Sequence, residues 1–255
     1  MKRLENKVAI ITGGSGLIGF TTAKRLASEG AKILLVDIDE ETLKEKEKEA
    51  KDSNYDMSYV VADVTNPKDV ENYVKTAIDR YGKIDLFFNN AGIEGVVKPM
   101  DEYPVDVFDK VIAVNVKGVF LGMKYVIPKI EDGGSIVITS SVAGLTGTAG
   151  MVGYNTSKHA TIGIMRVAAK ELGARKVRVN TVHPGVVDSR MMRSLEDGIN
   201  PGHGEEVKSE FEKMIPLGCY AKPEDVSNMV TFLFSDESSY VHGSTFVVDG
   251  GFTDQ

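Results

Sequence analysis

One cysteine, Cys219, stands among 255 residues, so the chain can close no internal disulfide, which fits a reducing compartment. It has no tryptophan, and no apolar run comes near the roughly 20 residues that a membrane-crossing helix needs. The apolar stretch behind the basic N-terminus, Val8 to Ile11, is too short for the core of a secretion signal and runs straight into glycines. Positive charge is also in deficit. Thirty Lys and Arg against 37 Asp and Glu leave a formal charge of −7, and the bases are scattered, which disfavours a nucleic-acid partner. The four histidines, His159, His183, His203 and His242, show no spacing with Cys or acids that suggests zinc. The reading is a cytoplasmic protein with no metal, membrane or nucleic acid as partner.

The remaining composition, 42% hydrophobic and 26% charged, is that of a globular protein with a substantial core. Short β-branched runs alternate with amphipathic stretches. Strands are expected at Val8–Ile11, Ile33–Val36, Tyr59–Val61, Ile84–Phe88, Ile136–Ile138, Val177–Val179 and Phe246–Val248. Helices are expected over 17–28, 39–51, 67–81, 105–125 and 154–172, with a last one opening at Pro223. Continuous apolar strands separated by helices predict an α/β fold, a parallel sheet covered on both faces. No linker divides the chain, so 1–255 reads as one domain. The segment 187–216 breaks the alternation and reads as a substrate-binding loop or lid.

Between the first strand and first helix lies Thr12-Gly13-Gly14-Ser15-Gly16-Leu17-Ile18-Gly19. Glycines there let the backbone turn sharply and approach a pyrophosphate, while the helix N-terminus offers free N–H groups. The second strand ends in Asp37, eighteen residues past Gly19, where a carboxylate accepts hydrogen bonds from ribose hydroxyls and repels a 2′-phosphate. No Arg or Lys occupies Ser15, Gly16 or Ile38 to neutralise such a phosphate, so the cofactor reading is NAD rather than NADP. Asp37 or Asp39 also suits the N-cap of the following helix.

Tyr154-Asn155-Thr156-Ser157-Lys158 places a phenol and an ammonium one helical turn apart on one face. A phenol with a pKa near 10 is a poor base, and a neighbouring ammonium favours its ionised form.

With the glycine turn, this constellation resembles the short-chain dehydrogenase/reductase family in its single-domain branch. The resemblance runs from about Lys7 to Gly251 and rests on motifs in order. They are Asp63-Val64, Asn89-Asn90-Ala91-Gly92, Val114-Asn115-Val116-Lys117-Gly118, Ser140-Ser141, Tyr154/Lys158, Pro184-Gly185 and Val248-Asp249-Gly250-Gly251. It implies a doubly wound Rossmann sheet, with Gly13, Ser15, Gly16, Leu17, Ile18 and Gly19 along the dinucleotide. By the same resemblance Tyr154 matches the proton donor and acceptor, and Ser141, thirteen residues earlier, binds the substrate oxygen. Lys158 matches the residue that lowers the tyrosine pKa and holds the nicotinamide ribose, and Asn115 anchors a water in a proton relay. Asp63 and Val64 match an adenine-contacting pair, Asn90 a residue beside the adenine-side ribose, and Val187 and Ser189 the carboxamide-binding segment. Two departures stand out. Leu17 sits where the branch has glycine, its middle glycine lying one place earlier at Gly16, and Ser189 stands where threonine is usual.

The activity implied is NAD-dependent interconversion of a secondary alcohol and a ketone, a small-molecule substrate. Ile93, Val142, Met151, Val152, Met191 and Met192 are expected to line an apolar pocket suited to a small cyclic or aliphatic substrate. A carrier-bound 3-oxoacyl substrate ranks second, because Glu131-Asp132 places acid before the catalytic strand where a basic docking surface is needed. Sugars and steroids stay open within the family. An isomerase or an idle NAD-binding regulator is a lesser alternative. His203, in the 187–216 segment, is the histidine singled out for a functional role. A homotetramer is implied through the helices carrying Asn115 and Tyr154, with Val111, Ile112, Val119 and Phe120 as its apolar surface.

Overall fold

The computed structural model describes residues 2–253, so the first residue and last two of the expected single domain lie outside the described residues. Among the described residues seven strands form one sheet. They are β1 (Val8–Thr12), β2 (Lys32–Asp37), β3 (Met57–Val61), β4 (Ile84–Asn89), β5 (Ile130–Thr139), β6 (Arg178–Pro184) and β7 (Thr245–Val248). Their order is β3-β2-β1-β4-β5-β6-β7 and every pairing is parallel. Parallel neighbours need crossovers, and the helices supply them. These are α1 (Leu17–Ser28), α2 (Glu40–Asp52), α3 (Pro67–Tyr81), α4 (Val105–Ile112), α5 (Val119–Val126), α6 (Val152–Leu172), α7 (Arg190–Ile199), α8 (Gly204–Met214) and α9 (Pro223–Phe234).

Alternation along each strand divides the core. Ile10, Leu34, Phe87 and Ile136 face α3, α5 and α6, whereas Ala9, Ile11, Leu35 and Phe88 face α1, α2 and α9. The helix starts follow local chemistry. Asp39 caps α2 by accepting the Thr42 N–H at 3.1 Å, and Asn66 caps α3 ahead of Pro67 by accepting that of Lys68 at 3.1 Å.

Three expectations need correction. The helix expected over 105–125 is interrupted by a π-helical turn, Ala113–Gly118, centred on Asn115. Residues 187–216 form the two helices α7 and α8 around a small core of Val186, Met192, Ile215 and Tyr220. Val111 and Val119 pack inward and are fully buried, so of the four residues assigned to an oligomer surface Phe120 is the one left exposed, at 51%. Among the described residues no helix is long and apolar enough to cross a membrane.

Strand order reverses between β1 and β4, and a crevice forms there at the carboxyl edge of a doubly wound sheet. Thr12, Asp37, Asn89, Thr139 and Pro184 all end strands on that edge.

Candidate active site

After β1 the backbone turns at Gly13 with φ of 65°, and a Cβ there would lie 2.9 Å from Asn90 Nδ2 and 3.0 Å from Ala91 Cα. At Gly19 a Cβ would collide with the Gly13 carbonyl oxygen, so the first turn of α1 lies against the loop only because Gly19 is bare. α1 starts at Leu17 after Gly16, with no side-chain cap and no acid in its first turn, so no residue of the helix itself offsets its positive end. Leu17 opens that helix half exposed, so the departure from glycine falls at a position where a side chain has room.

Asp37 reaches the same turn. Its Oδ2 accepts the Ser15 N–H at 3.1 Å and its Oδ1 the Ile38 N–H at 2.8 Å, which fixes a half-buried carboxylate beside the helix start. Asp63 Oδ1 accepts both the N–H and the hydroxyl of Thr65 at 2.8 Å, and Val64 packs over Gly118, where a Cβ would come within 2.9 Å of it. Asn90, matched to a residue beside the adenine-side ribose, has its side-chain amide held by the protein. Its Nδ2 donates to the carbonyls of Thr12 at 3.1 Å and Gly13 at 3.5 Å, and its Oδ1 accepts from Thr139 at 3.0 Å. That amide ties β1, β4 and β5 together. The uncapped helix end, the bare glycine turn and the fixed carboxylate fit a dinucleotide's pyrophosphate and ribose.

α6 brings Tyr154 and Lys158 to the ends of β5 and β6. Lys158 Nζ donates to the Thr139 carbonyl at 3.0 Å and lies 5.5 Å from the centroid of the Tyr154 ring. Ser141 leaves β5 in extended backbone, accepts the Ala143 N–H at 3.2 Å, donates to Pro184 O at 3.4 Å and lies near enough to the Tyr154 phenol to favour its ionised form. Ser140, by contrast, is buried with its hydroxyl donating to the Lys158 carbonyl at 2.9 Å, a structural contact. The π turn presents Asn115 inward. Its Oδ1 accepts the Ile93 N–H at 2.8 Å, and its Nδ2 donates to Ile93 O at 2.9 Å and Ser157 Oγ at 3.0 Å. Ser157 in turn donates to the Tyr154 carbonyl at 2.7 Å.

The electrostatics run against expectation. Burial pushes the Tyr154 phenol up to about 12; the nearby Ser141 hydroxyl opposes this and the charge of Glu94 adds to it. Burial also takes the Lys158 ammonium down to about 8. The ammonium is withdrawn from water with one carbonyl as partner, so desolvation dominates over its attraction to a phenolate.

Ser189 caps α7 by accepting the Met192 N–H at 3.2 Å, and Val187 forms an isolated parallel bridge to Ala221. Met192 faces the small core of α7 and α8. His203 is exposed and pairs with Glu206 at 3.0 Å on the first turn of α8. Asp132 is ion-paired to Arg175 and lies with Glu131 at the amino end of β5, opposite Ser141, so acid there does not bear on docking at the cleft.

Two residues at the site have no counterpart in the sequence reading. His183 is buried, with Nδ1 bonded to Ser141 O at 2.9 Å and Nε2 to Thr181 Oγ1 at 2.8 Å. Desolvation lowers its pKa. Glu94 is buried at the rim, and its signal was a lone charge in the apolar loop Ile93-Glu94-Gly95-Val96-Val97.

Residues 15–253 match the family model described as enoyl-(acyl carrier protein) reductase. Among characterised relatives, the chain is 37% identical to levodione reductase of Leifsonia aquatica, covering 98% of this chain and 95% of that protein. It is 36% identical to cyclohexanol dehydrogenase of Acinetobacter sp. (strain SE19), covering 98% and 96%. It is 39% identical to the 3-oxoacyl-(acyl-carrier-protein) reductase of Thermotoga maritima, covering 98% of each. The crystal structure of levodione reductase superposes with a TM-score of 0.95 at 36% identity over 98% of each chain. NAD+-bound xylitol dehydrogenase does so at 0.92 and 32% identity, over 98% of this chain and 100% of that one. A blue fluorescent protein in complex with NADPH gives 0.88 at 32% identity, over 98% and 99%.

Proposed function

The chain belongs to the short-chain dehydrogenase/reductase family of oxidoreductases, and on that premise we propose that it interconverts a secondary alcohol and a ketone with NAD. The observation that carries this reading is the meeting of Ser141, Tyr154 and Lys158 at the carboxyl edge of the sheet, beside the glycine turn and Asp37.

In the oxidising direction Tyr154 accepts the substrate's hydroxyl proton, and in the reducing direction it returns one. Ser141 donates to the substrate oxygen, where negative charge develops. Lys158 holds its proton one helical turn away, anchored on the Thr139 carbonyl. Asn115 fixes Ile93 and, through Ser157, the turn carrying Tyr154. NAD, when bound, supplies the hydride acceptor and a positive nicotinamide that opposes the effect of burial on the phenol. Gly13, Gly16 and Gly19 with the first amides of α1 receive the pyrophosphate, Asp37 the adenine ribose, Asp63 and Val64 the adenine, and Val187 and Ser189 the carboxamide. Asp37 repels a 2′-phosphate, hence NAD. The α7–α8 segment is the substrate lid.

A small cyclic or aliphatic substrate is favoured, a reading the cyclohexanol dehydrogenase and levodione reductase likenesses support. The carrier-bound 3-oxoacyl reading has the family description and the Thermotoga maritima relative behind it. A cytoplasmic homotetramer completes the proposal.

The test is absorbance of reduced cofactor with a panel of alcohols, ketones and 3-oxoacyl thioesters, using NAD and NADP, on the wild type and Asp37→Ala. The wild type should prefer NAD and a free alcohol, and Asp37→Ala should weaken NAD by about tenfold, the loss of a charged hydrogen bond to a ligand, while narrowing the preference. An unchanged preference removes Asp37 from the ribose. No turnover of any alcohol or ketone defeats the reading.

A further inference from the structure

Glu94 sits in the loop between β4 and α4, at the rim of the cleft. The residue is only 9% exposed, and among the described residues no donor hydrogen-bonds its carboxylate. Among the described residues its one opposite charge within 4 Å is Arg190 Nη1, at 3.8 Å and beyond hydrogen-bond reach, on a side chain 84% exposed at the start of α7. The carboxylate is near enough to Tyr154 for its charge to oppose ionisation of the phenol.

The loop that holds it cannot swing away. Asn115 grips both the N–H and the carbonyl of Ile93, at 2.8 and 2.9 Å. Behind Gly95, with φ of 79°, the Tyr103 hydroxyl lies 2.5 Å from where a Cβ would sit, and it also accepts the Val96 N–H at 3.4 Å. The same hydroxyl lies 3.0 Å from the Cβ position of Gly153, the residue before Tyr154. Glu94 is therefore locked to the turn that carries the acid/base.

The Glu94 side chain is largely buried while its carboxylate oxygens keep solvent contact with their acceptors unfilled, a fixed charge that a pocket needing only apolar contact has no use for. We infer that Glu94 is a specificity residue, selecting alcohols and ketones that carry a second hydrogen-bond donor, a hydroxyl or an ammonium, away from the reacting carbon. This rests on the alcohol/ketone reading above and names its substrate class. Arg190, exposed on the lid, balances the charge when no such donor is present and yields to one that arrives. An anionic substituent is disfavoured because it meets the fixed Glu94 as well as the mobile Arg190.

The test compares reduction of 4-methyl-, 4-hydroxy- and 4-aminocyclohexanone by the wild type, Glu94→Gln, Glu94→Met and Arg190→Met, with melting temperature as the check on folding. In the wild type, kcat/KM for at least one donor-bearing ketone should exceed that for the methyl ketone by about tenfold or more, since a site built for a donor rejects the analogue without one. Glu94→Gln should cut the ammonium ratio at least tenfold and the hydroxyl ratio less, because its carbonyl still accepts. Glu94→Met should cut both, with the loss falling mainly on KM. Arg190→Met should raise the ammonium ratio. Should Glu94→Met not fold, Glu94→Gln still decides the ammonium arm. A wild type that prefers the methyl ketone, or ratios unchanged in the Glu94 variants, overturns the inference alone. Absence of turnover for all three ketones in a wild type that turns over other alcohols or ketones overturns the inference alone, and absence of turnover for every alcohol and ketone overturns the alcohol/ketone reading with it.

Discussion

The two walls of the cleft are built on opposite terms. On the wall formed by the ends of β1, β4 and β5, polar side chains are fastened to backbone. Thr12 accepts the N–H groups of Asn90 and Ala91 at 2.9 and 3.1 Å, Asn90 holds Thr12, and Lys158 holds Thr139. On the facing wall, α7 and α8 pack on a small core shared with Val186, Ile215 and Tyr220, touch the C-terminal turn where Phe211 and Phe252 lie 6.3 Å apart, and reach the loop after β4 through the long Glu94–Arg190 pair. Proton and hydride transfer need reacting atoms held to within a fraction of an ångström, whereas a substrate wall must admit, close and release.

The largest effect expected from this division is Tyr154→Phe. If Tyr154 serves chemistry alone, kcat should fall by about a thousandfold or more while NADH affinity stays within about twofold, read by turnover and by nucleotide fluorescence titration. Activity above a tenth of the wild type breaks the acid/base assignment. Loss of NADH binding would instead show that the phenol helps hold the cofactor wall together.

Lys158→Met sharpens the same wall by its cost in stability. The folded protein holds the ammonium at about 8, below the usual lysine value of 10.5, because it is buried. Between those values the unfolded chain binds more protons than the folded one, so this group's penalty is complete below pH 8 and is relieved as pH rises towards 10.5. The variant lacking cofactor should therefore be more stable than the wild type at pH 7 by about 3 kcal/mol, and most of the gap should be gone by about pH 10. Denaturant unfolding at the two pH values reads it. A flat gap means that the ammonium is better solvated than its burial indicates. Turnover should be lost in either case.

The strands and the glycine turn are legible in the sequence because period and punctuation are local properties. The π turn is not: Val105 to Tyr125 keeps its apolar spacing through Asn115, and one extra residue per turn leaves no signature in side-chain type. α7 and α8 read as a loop because Asn200-Pro201-Gly202 interrupts them and their apolar residues serve a core of four. The pairing of Tyr154 with Lys158 followed from helical spacing, but the direction of their pKa shifts did not, since desolvation depends on depth. Glu94 went unseen for the same reason. A carboxylate in sequence is solvated until the fold buries it.

The smallest effect tests whether the lid is a separate unit. Glu196 is fully buried in α7 and accepts from the Tyr220 hydroxyl at 2.8 Å and from Arg193 at 2.7 Å. Tyr220→Phe removes one donor from that carboxylate while keeping a ring beneath Arg193 and Lys208, which lie 5.5 and 5.6 Å from its centroid. Loss of a hydrogen bond to a charged group costs about 1.5 kcal/mol, and that cost should be felt where the bond closes. If α7 and α8 open independently, protease cleavage within 187–216 should quicken by about tenfold while the melting temperature moves by less than about 2 °C. Unchanged cleavage with a clear drop in melting temperature would mean that Glu196 braces the whole domain, and that the two walls rise and fall together.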